Sequence, residues 1–208
     1  DYLGILEKAV KIFEKNNLTY WPMGGTMLGV VRHNAFIPWD DDLDISMMAE
    51  DKEKLFEIFE KEEEFVIEEV YWSDGLLLRC PRIRYKDESK NGCIDIFLWE
   101  RADNEPTGDR ELWAKRQKYV QMKEQAFQKL KPSLHKTLFA GEPITDLHDK
   151  ELIDKLFNDI YKQQRQECQK SGNTIYGQID MWFEAGRWVG VYAKEDVLPF
   201  TTMKFETL

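Results

Sequence analysis

Asp42 and Asp44 stand at i and i+2 where the run PWDDDLDIS leads into an apolar segment. In an extended chain that spacing projects both carboxylates from one face. Two crowded carboxylates repel and are costly to desolvate unless a cation lies between them. Hard oxygen ligands of this kind suit Mg²⁺, which takes one or two carboxylates and shares the phosphates of a substrate. The competing reading is an acidic turn in which Asp40 and Asp41 help to solvate a strand end; the apolar alternation of Leu43 and Ile45 favours a buried strand. A third acid, Asp95, interrupts the otherwise core-forming run CIDIFLW, Cys93 to Trp99. A buried Asp with no partner is costly or stays protonated. Pairing its strand beside that of Asp42 and Asp44 would surround a metal pair with three carboxylates, a geometry suited to in-line displacement at phosphorus.

Upstream, Gly24 and Gly25 follow a strand-like run and precede Thr26. A Gly-Gly turn lets backbone N–H groups approach a phosphate, and the helix start behind it adds a favourable dipole. An ordinary turn would explain the two glycines as well. Arg32 and His33 close the short helix, where a guanidinium could clamp a phosphate or simply complement the helix C-terminus. Arg82 and Arg84 alternate on one strand face and could reach a diphosphate or bridge to acidic surface residues. Trp39 abuts the aspartates, where it could fix the loop or stack a base.

GG-T/S, a short helix, D-x-D on the next strand and a lone Asp on a later strand resemble the nucleotidyltransferase superfamily. The full run GGTMLGVVRHNAFIPWDDDLDIS, Gly24 to Ser46, resembles the LicD family, which includes fukutin and the fukutin-related protein. The likeness rests on GGT, LG, RH and FIPWDDDLDI, and the R-H…P-W insertion accounts for the long gap between Gly25 and Asp42. It is strong over Tyr20 to Met47, fair through Trp99 and faint beyond. The resemblance implies that Gly24, Gly25 and Thr26 hold nucleotide phosphates. It implies that Asp42 and Asp44 bind Mg²⁺, as one ion or two, with Mn²⁺ able to substitute. Asp95 would complete the metal site and draw the proton from the attacking hydroxyl.

The reaction implied is transfer of an alcohol phosphate, phosphocholine foremost, from a CDP-linked donor such as CDP-choline to a hydroxyl of a cell-surface glycan or its lipid-linked precursor, with release of CMP. Fukutin relatives transfer ribitol phosphate. The alternatives are a true nucleotidyltransferase that releases pyrophosphate and a catalytically silent nucleotide-binding module. A choline donor would want an aromatic cage; Trp182, Phe183, Trp188 and Tyr192 are candidates that read equally as core. Pro199-Phe200 and Phe205-Glu206 are similar to an element that, in the family, precedes a tail rich in Tyr and Gly. The sequence stops at Leu208, and a site needing that tail would bind without turning over.

The elements around these residues read as an α/β (α+β) fold: a nucleotidyltransferase-like mixed sheet flanked by helices, with a helical C-terminal portion. Apolar spacing predicts a helix to about Lys15, a strand over Leu18 to Met23, a short helix over Thr26 to Arg32 and a strand over Leu43 to Met47. Asp51 is placed to cap the next helix. Ten acids against three lysines between Glu50 and Glu69 read as a solvated helix face. Phe65 to Tyr71, Leu76 to Arg79 and Arg82 to Tyr85 are strand-like, with Gly75 and Pro81 as breaks. Asp109 to Leu130 and His148 to Gln169 read as long helices around a loop with Gly141 and Pro143, and an irregular aromatic stretch follows from Ile175. Residues 1–100 would form the catalytic core and 101–208 a helical, aromatic-rich portion packed on it.

A net charge of −10 over 208 residues argues against nucleic acid as a partner, while leaving room for a small phosphorylated substrate held by metal and arginine. No run approaches the ~18 apolar residues of a spanning helix, and the acidic start lacks a signal peptide's features. Peripheral contact with a membrane stays open. Cys80, Cys93 and Cys168 are odd in number and widely spaced, which reads as free thiols in a reducing cytoplasm. They share no zinc-ligand spacing with His33, His135 or His148.

Overall fold

The computed structural model describes residues 2–73, 77–102, 109–140, 143–167, 174–176 and 191–208. In chain order the elements are α1 (Tyr2–Lys15), β1 (Tyr20–Pro22), α2 (Gly24–His33), β2 (Asp44–Met48), a 3-10 turn (Ala49–Asp51), α3 (Lys52–Phe59), β3 (Phe65–Ser73), β4 (Leu77–Tyr85), β5 (Cys93–Ala102), α4 (Asp109–Gln128), α5 (Pro132–Phe139), α6 (Leu147–Glu167), β6 (Thr174–Tyr176), β7 (Val191–Ala193) and α7 (Lys194–Val197). The fold is mixed α/β, with a sheet of order β1-β2-β5-β4-β3. β1 is antiparallel to β2, β2 parallel to β5, and β5 antiparallel to β4. At the end of β5, Glu100–Ala102 pair with β6, which pairs with β7.

Two compact units divide the chain. The first comprises Asp1–Glu69, Pro81–Trp99 and Leu198–Leu208; the second comprises Val70–Cys80 and Glu100–Val197. In the first, α1 buries Ile5, Leu6, Ala9, Val10 and Phe13, a stripe at helical spacing. It ends at Lys15, and Asn17, with a left-handed φ of 51°, turns the chain toward β1. Alternation along the parallel pair sends Leu43, Ile45 and Met47 from one strand, and Ile94, Ile96 and Leu98 from the other, into the core that α1 and α3 share through Phe13, Leu55 and Phe59. Each such side chain, fully buried, contributes about 1.5–3 kcal/mol. In the second unit, Tyr71, Tyr119, Leu130, Leu134, Leu138, Ile153 and Phe157 form a separate cluster.

Several boundaries differ from the sequence reading. Helix α2 begins at Gly24, two residues before Thr26, so it includes both glycines. Pro81 does not break β4: the rungs with β5 are Arg82↔Asp95, Ile83↔Ile94 and Arg84↔Cys93, and Pro81 adjoins that run. Gly75 lies outside the described residues. Asp51 holds the N-cap position of α3 without a side-chain cap hydrogen bond. Between the two long helices stands a third, α5, whose Pro132 opens the first turn and whose Leu134 and Leu138 are buried one turn apart. Eight residues are too few for its period to stand out. Three of the acids after Glu60 are paired as well as solvated, Glu64 with Lys8 and Lys90, Glu68 with Arg84 and Glu69 with Lys52. No helix among the described residues is long and apolar enough to cross a membrane.

Candidate active site

The pleat that sends Ile45 and Ile96 into the core puts Asp44 and Asp95 on the opposite face of the sheet. They are register partners across β2 and β5, and Asp95 is the register partner of Arg82 across β5 and β4. A row Asp44–Asp95–Arg82 therefore crosses three adjacent strands. Arg82 grips Asp95 as a fork, Nε donating to Oδ1 at 2.6 Å and Nη2 to Oδ2 at 2.8 Å. The strand of Asp95 thus lies beside that of Asp44.

Asp44 is anchored to the start of α2 through its backbone. Its N–H donates to the Thr26 hydroxyl oxygen at 2.9 Å, and its carbonyl accepts from the Met23 N–H at 3.1 Å. Gly24 has φ +54°, and a Cβ there would stand 3.1 Å from Asp44 Oδ2. A Cβ at Gly25 would stand 2.7 Å from Asp40 Oδ2. The glycine pair therefore does two jobs: it admits a left-handed backbone, and it lets two carboxylates close on the first turn of α2. That turn has no side-chain cap, so the positive end of the helix dipole faces acids.

Electrostatics match this crowding. Burial pushes the Asp44 carboxyl up to about 7, with Asp42, Asp95 and Asp40 adding to the rise and Arg82 opposing it. Asp42 is raised as well, by burial first and then by Asp40, Asp41 and Asp95. Burial raises the Cys93 thiol, with Arg82 opposing. Carboxylate oxygens of Asp40, Asp41 and Asp42 all lie within 4.8 Å of one another. Asp40 Oδ2 is buried with no hydrogen-bond partner. An orphaned carboxylate oxygen beside mutually repelling acids is what a hard divalent cation satisfies, so the residues present fit Mg²⁺.

The remaining candidates separate into those near the row and those away from it. Thr26 is buried, with its hydroxyl engaged on Asp44. Arg32 and His33 are exposed in the last turn of α2, about 12 Å along the helix from Gly24 at ~1.5 Å per residue. Arg84, one pleat repeat from Arg82, pairs with Glu68 at 2.6 Å. Trp39 is 82% exposed immediately before Asp40. Of the proposed aromatic cage, Tyr192 is exposed in the second unit, and Trp182, Phe183 and Trp188 lie outside the described residues. Cys80 and Cys93 are free thiols; Cys168 lies outside the described residues.

Asp40 is the residue that spacing undervalued, having been given only a solvating role. Its contact with Gly25 arises because residues 35–40 fold back along α2: a Cβ at Gly29 would stand 2.6 Å from the Ala35 carbonyl oxygen. Gly25 and Gly29, four residues apart on one helix face, were the available signal.

A mixed sheet thus carries an acid row beside a glycine-opened helix. Residues 17–144 match the family described as LicD/FKTN/FKRP, nucleotidyltransferase domain, and the chain belongs to that family. Relatives include an uncharacterized protein of Rickettsia prowazekii, 34% identical over 48% of this chain and 34% of its own length. The lipopolysaccharide cholinephosphotransferase LicD of Haemophilus influenzae is 28% identical over 50% of this chain and 43% of its own. The mouse ribitol 5-phosphate transferase FKRP is 27% identical over 60% of this chain and 25% of its own. The chain thus spans less than half the length of each of these relatives. Two of these relatives are named for transferase activities, a cholinephosphotransferase and a ribitol 5-phosphate transferase.

Proposed function

We propose that the protein transfers an alcohol phosphate, phosphocholine foremost, from a CDP-linked donor to a hydroxyl of a cell-surface glycan or its lipid-linked precursor, with CMP leaving and Mg²⁺ as cofactor. The observation that carries this reading is the register that sets Asp44 beside Asp95 across β2 and β5, with the Asp44 carboxyl raised by burial and by Asp42, Asp95 and Asp40. An acid cluster in that state gains most from a divalent cation. Asp42, Asp44 and Asp95 would hold the ion, with Asp40 as a fourth acid at the glycine turn. Bound Mg²⁺ would offset charge on the donor phosphates and on the oxygen that departs with CMP.

The chain's own groups do the rest. Gly24 and Gly25 let the carboxylates of Asp44 and Asp40 close on the first turn of α2, whose dipole favours anions. Arg82 orients Asp95 through its fork, and each Asp95 oxygen keeps a further lone pair with which to accept the proton of the attacking hydroxyl. The bond formed joins the glycan oxygen to the distal phosphorus; the bond broken joins that phosphorus to the oxygen bridging to CMP. Trp39 stands exposed beside the acids, available to a base. A cytoplasmic site of action fits the free thiols Cys80 and Cys93.

Calorimetric titration with CDP-choline, CDP-ribitol and ATP, each with and without Mg²⁺, tests the reading. Mg²⁺-dependent binding of CDP-choline alone is the expected result. Preference for CDP-ribitol would change the alcohol, and binding of ATP alone would overturn the reading in favour of pyrophosphate-releasing chemistry.

A further inference from the structure

Residues 34–40 reach the acidic site as a strap. Asn34 leaves α2 in the left-handed conformation, φ 52°, with its N–H on the Val30 carbonyl. The backbone of residues 35–37 then lies over Gly29, whose added Cβ would meet Ala35 O at 2.6 Å and Ile37 N at 3.2 Å. A turn closed by the Asp40 N–H on the Ile37 carbonyl, 2.9 Å, delivers Asp40 to Gly25. The strap thus runs back along α2 from its last turn to its first. Within the strap, Phe36 packs against the core of the unit, and a loop over a glycine face adds contact without side-chain interlock.

A second hold comes from residues 205–208, within the same unit. Glu206, at φ 51°, donates its backbone N–H to the Asn34 carbonyl at 2.7 Å. Its side-chain Oε1 accepts the Phe36 N–H at 3.3 Å. The Phe205 ring, 6% exposed in the core, meets the Phe36 ring edge-on with centroids 4.8 Å apart. Phe205 and Leu208 exchange backbone hydrogen bonds, and the Thr207 hydroxyl donates to Glu7 of α1. One short segment therefore grips the strap at two successive points while being tied to the core and to α1.

We propose that Phe205 and Glu206 are positioning residues of the acidic site: they clasp the 34–40 strap on the glycine face of α2 and so set where Asp40 presents its carboxylate. The consequence for cation binding rests on the reading of Asp40, Asp42, Asp44 and Asp95 as a metal site. The clasp itself does not. Glu206 and Phe205 lie over a hundred positions from those acids in sequence and would touch neither donor nor ion.

Glu206→Ala and Glu206→Gln separate these layers, with amide hydrogen exchange and Mn²⁺ titration as the two readouts. Glu206→Ala is expected to speed exchange in residues 34–40 while α1 and β5 keep wild-type rates. It should also weaken Mn²⁺ binding by about tenfold, the low end for loss of a residue that orients a ligand. Glu206→Gln retains an acceptor for the Phe36 N–H and should restore both. Unchanged exchange in 34–40, or acceleration spread evenly over α1 and β5, would overturn the clasp. Fast exchange in 34–40 with unchanged Mn²⁺ affinity would overturn its role in placing Asp40. Wild-type protein that binds no Mn²⁺ would overturn the metal-site reading instead, and the exchange readout would still decide the clasp.

Discussion

In the first unit, Asp40, Asp42, Asp44 and Asp95 gather near one end of the sheet, and Asp42 and Asp44 are both raised, by burial first and by the neighbouring acids second. In the second, Arg79 and Lys123 are each only 1% exposed, yet both lie against the ring of Phe157, at 4.9 and 5.8 Å from its centroid. Arg79 Nη1 also donates to Asn158 Oδ1 at 2.8 Å, and Tyr71 donates its hydroxyl to Asp154. Asp154, Phe157 and Asn158 share one face of α6, so a single helix stripe serves these buried polar groups. Charge with ring and amide partners is fully buried and builds the unit. Charge facing like charge stays half-exposed, and its repulsion is free energy that a cation can release.

The widest test of that contrast is Asp44→Asn. Turnover should fall by about 10³-fold or more, since a metal site supplies several kcal/mol of transition-state stabilisation and each ~1.4 kcal/mol is tenfold. The fold should survive, because the neutral amide removes repulsion. The pH dependence has a definite sign. Asp44 keeps its proton in the folded chain up to about 7 against an ordinary 3.8, so the folded state binds protons that the unfolded chain releases. This contribution is fully present below the ordinary value and is lost as pH rises through about 7. Metal-free protein should therefore melt lower at pH 8 than at pH 5. Asp44→Asn should flatten the slope, and Mg²⁺ should recover the loss at pH 8. Retained turnover, or a slope of the opposite sign, would break the comparison on the acidic side.

Arg79→Ala attacks the other side. It removes a large buried side chain and strips Asn158 of its donor, a change worth about 3 kcal/mol. Urea unfolding should register that loss, while Mn²⁺ titration of the folded fraction should be unaffected. Stability unchanged with metal binding impaired would mean that Arg79 belongs to function after all.

What could be read from sequence follows the range of the forces involved. Asp42, Asp44 and Asp95 were legible because a polar residue in an apolar strand, or a pair two apart, is locally anomalous. The helix α1 and the strand β5 were legible because their apolar periods are long and clean. The Arg82–Asp95 fork was not: Arg82 and Arg84 look alike locally, and only the β4–β5 register decides that Arg82 faces Asp95 while Arg84 turns to Glu68. The approach of Asp40 to Gly25 depends on a strap held by residues more than 160 positions away, and no local pattern encodes it. Pro81 misled because proline was taken to end a strand, whereas it adjoins the paired rungs of β4.

The smallest expected effect compares two indoles of the first unit. Trp21 is 9% exposed, stacked on Phe200 at 4.8 Å and edge-on to Trp99 at 5.3 Å. Its area is committed to the fold. Trp39, 82% exposed beside Asp40, touches so little that Trp39→Ala should change stability by less than about 0.5 kcal/mol. A tryptophan left in water next to an acid row is an unfavourable arrangement unless something covers it. Stacking of a nucleobase on an aromatic ring is worth ~1–3 kcal/mol, so a cytosine-bearing donor should lose about tenfold in affinity in the same variant. The measurement is donor titration at saturating Mg²⁺, paired with thermal melting of the same sample. An affinity loss with an unchanged melt assigns Trp39 to the donor. An unchanged affinity would leave the acidic row to bind its ligand through phosphate and metal alone, and would confine specificity for the base to another part of the molecule.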